Sequence, residues 1–223
     1  MIDIDVIYFD IDGTLLDANI DIANAVNYTR SRLDLEPKPF DEIVSYIGTG
    51  VADLVARGTG FSRGAKFAKA MRVFEKYYIR HTTDYAKLYP GVKNILRHFR
   101  NKKKIIVTNR FRRYAVAALR NFGLLKYFVE IVGGDDKFCM KPFGCVIERS
   151  LARIKADRRR AIIVGDMDID VMTGKNAGIK TCFVTHGLGK LKDVKKLNPD
   201  FVIDGLAELK KIITLNTKEG SHG

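Results

Sequence analysis

The sequence predicts an α/β fold, a parallel sheet with helices on both faces, from three observations. Short β-branched and aromatic runs recur along the chain, amphipathic helical patterns separate them, and one long stretch contains helical patterns alone. The runs span residues 4–9, 104–108, 129–132, 161–164, 180–184 and 201–203. Nearly continuous apolar strands between amphipathic helices are typical of a parallel sheet that is covered on both faces.

Helical spacing of apolar residues supports the connections between these strands. One predicted helix precedes the second run and another follows it, with apolar positions at Val92, Ile95, Leu96 and Phe99 and at Val116, Leu119 and Phe122. This alternation of strands and helices favours a Rossmann-like core.

Residues 16–86 interrupt the alternation. The stretch has no strand-like run, and its apolar residues follow helical spacing at Ile22, Val26, Thr29 and Leu33 and at Phe67, Met71, Phe74 and Tyr78. We predict a helical domain at 16–86, inserted into a core domain made of residues 1–15 and 87–223. The second set of apolar residues is interpreted as the core of the inserted domain and not as a ligand-binding site.

The chain is strongly basic. It has 39 Lys and Arg against 26 Asp and Glu, and the formal net charge of +13 attracts anions such as nucleic acids, anionic lipids or small phosphorylated compounds. Since the basic residues form scattered short clusters, two interpretations stay open, a generally basic surface and a patch that binds a polyanion. The hydrophobic content of 46% excludes a disordered or collagen-like chain.

The lack of a recognisable targeting signal and the cysteine usage favour a cytoplasmic protein. No apolar run approaches the roughly 18 residues that a membrane span requires. The first residues carry acids where a signal peptide requires positive charge. The cysteines Cys139, Cys145 and Cys182 have no metal-like spacing, and we expect free thiols.

Polar clusters follow four of the predicted strands. In an open parallel sheet, ligands bind beyond the carboxyl ends of the strands, so these clusters are expected to meet at one edge. They comprise Asp10, Asp12, Gly13 and Thr14 after the first strand, Thr108, Asn109 and Arg110 after the second, Asp135, Asp136, Lys141 and Pro142 after the third, and Asp166, Asp168 and Asp170 after the fourth.

The chemistry of these groups suggests a cation and a phosphoryl group. Carboxylates from two strand ends repel each other unless a cation lies between them, and an all-oxygen cluster favours a hard ion such as Mg²⁺. A lysine and a hydroxyl beside that ion form an anion site suited to phosphoryl oxygens. No Ser or Cys stands in an activated setting, and none of the four histidines lies in these clusters. A covalent route would therefore use a carboxylate as nucleophile.

Four ordered motifs carry a family resemblance. DIDGTLLD from Asp10, Thr108-Asn109, Lys141-Pro142 and GDMDID from Gly165 resemble the motifs of the haloacid dehalogenase (HAD) superfamily of hydrolases. The inserted domain resembles the four-helix cap of its phosphoglycolate-phosphatase-like branch. The resemblance implies a Mg²⁺-dependent phosphatase that hydrolyses a small phosphorylated metabolite through an aspartyl-phosphate.

The resemblance also implies a role for each motif residue. Asp10 would attack phosphorus, and Asp12 would protonate the leaving oxygen and then activate water, a form of catalysis that contributes roughly 10²–10⁴-fold. Thr108 and Asn109 would hold phosphoryl oxygens, assisted by backbone N–H groups around Gly13.

The same resemblance implies how charge is balanced. Lys141 would offset the charge of nucleophile and phosphate. Mg²⁺ would be bound by Asp10, the backbone carbonyl of Asp12, and Asp166. Asp170 would act through water or by orienting Lys141.

Departures from the family pattern concern the loop after the second strand and its surroundings. The Thr-Asn-Lys-Pro pattern here contains Arg110 and Phe111. Arg110, with Arg112 and Arg113, either binds a second anionic group of the substrate or marks a solvent-facing helix start. Gly144 replaces a second proline, and Met167 stands where a small hydroxyl residue is common. None of these changes removes a catalytic group.

Substrate choice is expected to lie in the cap. A Gly-rich turn at 47–50 resembles the turn that faces the active site in related caps. Arg57 or Arg63 is hypothesised to meet a substrate carboxylate or second phosphate, with solvation at the surface as the alternative. Phosphoglycolate is the first substrate candidate, followed by nucleoside monophosphates, sugar phosphates and pyrophosphate.

Two other functions remain open at the level of the sequence. A phosphomutase of the β-phosphoglucomutase kind would share Asp10 and Asp12. A nucleic-acid-binding or regulatory protein on the same scaffold is suggested by the net charge of +13, although the intact catalytic motifs argue against it. The chain is expected to act as a monomer or homodimer.

Overall fold

The computed structural model describes residues 1–215, which form a parallel sheet, its covering helices and a helical insert. The elements in chain order are β1 (Val6–Phe9), β2 (Leu16–Asp17), α1 (Asn19–Ser31), α2 (Phe40–Val44), α3 (Val51–Thr59), α4 (Gly64–Tyr78), β3 (Lys87–Leu88), α5 (Val92–His98), β4 (Lys103–Val107), α6 (Arg112–Asn121), β5 (Glu130–Val132), α7 (Cys145–Ile154), β6 (Ala161–Gly165), α8 (Asp168–Ala177), β7 (Lys180–Val184), α9 (Leu191–Lys195), β8 (Phe201–Ile203) and α10 (Leu209–Ile212).

Six strands form the sheet in the order β5-β4-β1-β6-β7-β8, and every neighbouring pair is parallel. β1 lies between β4 and β6, with Phe9 opposite both Ile106 and Val164. Because these strands run in register, their carboxyl ends meet at one edge. The predicted α/β fold class is therefore confirmed.

Both faces of the sheet are covered by apolar side chains. Ile7 and Phe9 of β1 pack in one buried cluster with α5 and α6, whereas Val6 and Tyr8 pack in another with α7. Since successive strand residues point to opposite faces, a strand buried on both sides reads as a continuous apolar run.

The four helices α1–α4 form a cap with its own apolar cluster. α1 packs against α2, α3 and α4, and the cluster extends to Tyr114 of α6. Phe74 and Tyr78 of the second apolar set are fully buried in it, while Phe67 and Met71 are partly buried. This arrangement supports the proposed division into a cap at 16–86 and a core at 1–15 and 87–223, whose residues 216–223 lie outside the described part.

A two-residue ribbon marks the point where the chain leaves and re-enters the core. β2 pairs antiparallel with β3, with Leu16 opposite Leu88. The expectation that 16–86 contains no strand is therefore wrong at its first two residues. Two residues are too short to produce a periodic signal, which is why the sequence pattern does not reveal this ribbon.

The cysteine prediction is partly wrong. A disulfide joins Cys139 to Cys145, whereas Cys182 is free and buried. The segment before α7 folds back on itself and brings the two Cα atoms to 5.8 Å, within the range of a disulfide. Across residues 1–215, no helix combines the length and the apolar character needed to cross a membrane.

Candidate active site

A buried ion-pair cluster lies at the carboxyl ends of β1 and β6. The Nζ atom of Lys141 is 2.8 Å from a carboxylate oxygen of Asp10 and 2.6 Å from one of Asp170. Burial alone would lower the pKa of Lys141, but the two carboxylates outweigh it and raise that pKa. Lys141 is therefore a fixed cation beside Asp10.

Asp166 lies next to this cluster in a close-fitting cradle. Its carboxylate accepts hydrogen bonds of 2.7 Å from the Thr14 hydroxyl and 2.7 Å from the Leu188 amide. Gly13 has a φ of +85°, and a Cβ there would lie 2.1 Å from an Asp166 carboxylate oxygen. Glycine is required at this position by both its backbone conformation and the approach of Asp166.

The acidic residues fit a divalent cation. One carboxylate oxygen each from Asp10, Asp166 and Asp170 lies within 4.8 Å of the others, and all three residues are buried. Burial, followed by the charge of neighbouring carboxylates, raises the pKa of Asp166. Three buried carboxylates against the single ammonium of Lys141 leave negative charge uncompensated, and an all-oxygen donor set suits Mg²⁺.

Asp170 has both carboxylate oxygens engaged with the protein. One oxygen pairs with Lys141 and the other accepts the Met167 amide at 3.0 Å. Its contacts thus match the expected orienting of Lys141.

Asp12 pairs with Arg110 and stands outside the acidic cluster. Arg110 donates to both carboxylate oxygens of Asp12 through Nε, at 3.0 Å, and Nη2. Burial raises the pKa of the Asp12 carboxyl, and the positive charge of Arg110 offsets part of that rise. Arg110 is itself only 6% exposed, so the expectation of a solvent-facing helix start is wrong for this residue; α6 begins at Arg112, which is exposed.

Two expected phosphate contacts have other partners in the structure. The amide nitrogen of the Asn109 side chain donates to the carbonyls of Gly48 and Lys141, and its oxygen accepts the Lys141 amide, each at 2.9 Å. The Gly13 amide donates to the Leu16 carbonyl. The side chain of Asn109 therefore joins the cap to two core loops, and neither it nor the Gly13 amide is available to a phosphoryl oxygen as expected.

A cavity lies between this cluster and the cap. The core contributes catalytic candidates and the cap contributes mostly apolar walls; the lining residues are Asp10, Asp12, Thr108, Asn109, Arg110 and Lys141 from the core and Ile22, Ile47, Gly48, Gly50, Val51, Leu54, Phe74 and Tyr78 from the cap. Phe74 and Tyr78 thus serve as cap core and cavity wall together, which the interpretation of the second apolar set as core alone did not include.

The hypothesis for Arg57 and Arg63 is not supported. Arg57 pairs with Asp53 and lies over the Tyr46 ring, with its guanidinium carbon 4.2 Å from the ring centroid. Arg63 is exposed at the start of α4. Within the described residues, neither of them lines the cavity.

Sequence reasoning missed the loop after β7. Leu188 binds Asp166, and the His186 ring nitrogen lies 3.2 Å from the Thr14 carbonyl oxygen, while the ring stacks on Tyr89. This loop follows a strand at the same sheet edge, so its position was the signal that could have revealed it. His222 lies outside the described residues.

The fold and the site together define a hydrolase with a capped α/β core. A family model described as haloacid dehalogenase-like hydrolase matches residues 7–184. The chain belongs to this family, as the motif resemblance predicted.

Particular relatives are phosphatases. The phosphoglycolate phosphatase of Aquifex aeolicus is 33% identical over 210 residues, which cover 93% of this chain and 96% of that protein. That of Vibrio parahaemolyticus is 29% identical over 223 residues, covering 96% of this chain and 98% of that one. The chain is accordingly an enzyme, a hydrolase of the phosphatase class.

The fold also matches a solved structure. The crystal structure of a predicted phosphoglycolate phosphatase from Haemophilus somnus superposes with a TM-score of 0.89 and covers 95% of this chain and 99% of that one. At 24% sequence identity, the match shows the capped fold alone.

Proposed function

We propose that this enzyme is a Mg²⁺-dependent phosphatase that hydrolyses a small, phosphoglycolate-type phosphomonoester through an aspartyl-phosphate. The observation that carries the proposal is the buried group of Asp10, Lys141, Asp166 and Asp170, of which Asp10 and Lys141 line a cavity between core and cap. Such an arrangement supplies a carboxylate nucleophile, a fixed cation and a divalent-ion site within one small space.

In the first step, a carboxylate oxygen of Asp10 forms a bond to phosphorus as the bond from phosphorus to the leaving oxygen breaks. Asp12 gives its proton to that oxygen, and the alcohol departs. Lys141 offsets the charge shared by Asp10 and the phosphoryl group. Thr108 is 3% exposed and lines the cavity, which supports a role for its hydroxyl as a donor to a phosphoryl oxygen.

In the second step, Asp12 takes a proton from water, and the water oxygen bonds to phosphorus. The bond between phosphorus and Asp10 breaks, which releases phosphate and restores both carboxyl groups. Mg²⁺ held by Asp10, Asp166 and the Asp12 backbone carbonyl would supply positive charge to the phosphoryl oxygens. The cap excludes water other than the reacting molecule.

The cavity favours a small substrate. It must hold the phosphoryl group as well as the leaving group, and apolar cap residues line it. Relatives that align over more than 90% of this chain are phosphoglycolate phosphatases. We infer that a two-carbon phosphomonoester is a better candidate than a nucleotide.

We also place the enzyme in the cytoplasm, where phosphorylated metabolites arise, as a monomer or homodimer.

A panel of phosphorylated metabolites tests the proposal. Phosphoglycolate, nucleoside monophosphates, sugar phosphates and pyrophosphate are assayed for phosphate release, with Mg²⁺ and with EDTA. The expected result is Mg²⁺-dependent release that is fastest for phosphoglycolate. Release of phosphate from none of these compounds contradicts the proposal, and transfer back to a sugar without release would identify a phosphomutase.

A further inference from the structure

Arg110, which lines the cavity, has a buried nitrogen without a hydrogen-bond partner among residues 1–215. Arg110 uses Nε and Nη2 on Asp12, while Nη1 is buried and has no hydrogen-bond partner among the described residues. A guanidinium carries five N–H donors, two of them on Nη1. A buried donor that is left unpaired is costly, so a partner for Nη1 is expected when the enzyme works.

A second unpaired donor lies beside it. The Tyr78 hydroxyl is also buried, and it has no hydrogen-bond partner among the described residues. The Arg110 guanidinium carbon is 5.4 Å from the centroid of the Tyr78 ring, and both residues line the cavity. Two such donors, one of them charged, on residues that line one cavity are suited to an anionic acceptor.

The position of the site identifies which part of the substrate it meets. Arg110 is hydrogen-bonded to Asp12, which in the proposed function protonates the leaving oxygen. An acceptor bound to Nη1 therefore belongs to the leaving group and lies only a few bonds from the scissile oxygen. The surrounding wall of Ile22, Leu54 and Phe74 is apolar and strengthens the interaction between charges.

We propose that Arg110 and Tyr78 form the specificity site of this enzyme and bind a carboxylate on the leaving group of a short phosphomonoester. The inference rests on the proposed function and deepens it. A carboxylate has two coplanar acceptor oxygens, which suits a guanidinium edge and a phenol together. The related motif pattern has lysine at this position. A lysine side chain has a single nitrogen, so it could not donate from two nitrogens to Asp12 and from a third to the substrate, as Arg110 can.

A matched pair of substrates isolates the carboxylate. Phosphoglycolate and 2-hydroxyethyl phosphate share the two-carbon skeleton. Phosphoglycolate carries a carboxylate where 2-hydroxyethyl phosphate carries a hydroxymethyl group. The ratio of their kcat/KM values is measured for the wild type, Arg110→Lys, Tyr78→Phe and Arg113→Met. Arg113 is the control because it is exposed on α6, pairs with Glu75 and is absent from the cavity lining.

We expect the wild type and Arg113→Met to prefer phosphoglycolate by the same ratio. Arg110→Lys lowers this ratio by about 10- to 100-fold, since hydrogen bonds to charged groups are the stronger ones. Tyr78→Phe removes one hydroxyl only and lowers the ratio by about 3- to 10-fold. The ratio cancels any effect of Arg110 on Asp12, because both substrates require the same proton.

A binding measurement without turnover complements the kinetics. In an Asp10→Asn background, phosphoglycolate raises the Tm more than 2-hydroxyethyl phosphate does, and Arg110→Lys or Tyr78→Phe removes the difference. Equal ratios in the wild type and both variants overturn the inference and leave Arg110 as a residue that positions Asp12. Because such an enzyme still hydrolyses both esters, that outcome is distinct from failure of the proposed function, in which neither ester nor any other phosphomonoester is hydrolysed.

Discussion

Lys141 balances the buried carboxylates of Asp10 and Asp170, and its side chain is almost fully enclosed. Removing one partner of a buried ion pair leaves the other charges without compensation. The same ammonium is the group that the proposed mechanism places beside the phosphoryl oxygens. Under the proposed mechanism, stability and catalysis at this site depend on the same nitrogen atom.

We predict that Lys141→Met lowers kcat/KM by about 10²–10³-fold, the cost of removing one charge-stabilising donor. It also lowers the free energy of unfolding of the metal-free protein by about 3–5 kcal/mol. Urea unfolding and phosphate release measure the two effects. The exposed Lys126→Met is the control, with a change within about 0.5 kcal/mol; equal effects in the two variants would show that Lys141 carries no special charge role.

A divalent ion held by Asp166 would make metal binding depend on pH. Burial and the neighbouring Asp10 raise its pKa above that of the unfolded chain. The folded, metal-free protein therefore binds more protons than the unfolded chain, and it loses stability as the pH rises from the ordinary aspartate value near about 4 through the raised pKa. A divalent ion must displace the same proton.

We predict that Mg²⁺ binds more tightly at about pH 8 than at about pH 6, with proton release that is larger at the lower pH. Titration calorimetry in buffers of different ionisation enthalpy measures both quantities. Asp166→Asn reduces the pH dependence, whereas Asp168→Asn, whose side chain lies outside the acidic cluster, preserves it. An affinity that is independent of pH in the wild type would refute this account of Asp166.

At the scale of elements, the loops after the strands determine the geometry of the site. The β1–β2 loop approaches Asp166 through Gly13, and the loop after β7 approaches it through Leu188. Asn109 joins the loop after β4 to Lys141 and to Gly48 of the cap. These contacts connect elements that are far apart in the chain.

We predict that Gly13→Ala abolishes Mg²⁺-dependent turnover, because its Cβ would lie 2.1 Å from the Asp166 carboxylate. Gly91 is a matched control, since its φ of +83° resembles the +85° of Gly13 and no atom of residues 1–215 outside its own neighbourhood lies within 4 Å of a Cβ built there. Gly91→Ala should lose about 1–2 kcal/mol of stability from its left-handed backbone and keep turnover. Steady-state assays with thermal unfolding separate the two effects, and equal turnover in both variants is the contradicting result.

The strand ends of the site could be predicted from the sequence, whereas the loop conformations could not. The sequence indicated that Asp10, Lys141, Asp166 and Asp170 would meet, because parallel strands in register bring their carboxyl ends to one edge. It did not reveal the pairing of Arg110 with Asp12, since loop conformation decides which side chains touch. The same reason explains why Asn109, expected at phosphate, instead binds backbone groups.

At the scale of the whole molecule, the positive charge is distributed instead of concentrated. Several basic side chains of the described chain form local surface pairs, including Arg113 with Glu75, Arg149 with Asp136 and Arg160 with Asp5. This distribution supports the interpretation of a generally basic surface, and such a field attracts small phosphorylated anions towards the cavity. The cap and the core line that cavity together, and the proposed specificity site takes Tyr78 from the cap and Arg110 from the core.

The covalent role of Asp10 is tested most directly by identifying the phosphorylated residue. The enzyme is mixed with phosphoglycolate and Mg²⁺, quenched in acid and digested, and the peptides are analysed by mass spectrometry. Our account predicts one hydroxylamine-sensitive phosphoryl group on Asp10, absent with EDTA and absent in Asp10→Asn, which has no turnover. Substantial phosphate release by purified Asp10→Asn, with no phosphorylated Asp10 in the wild type, would contradict it.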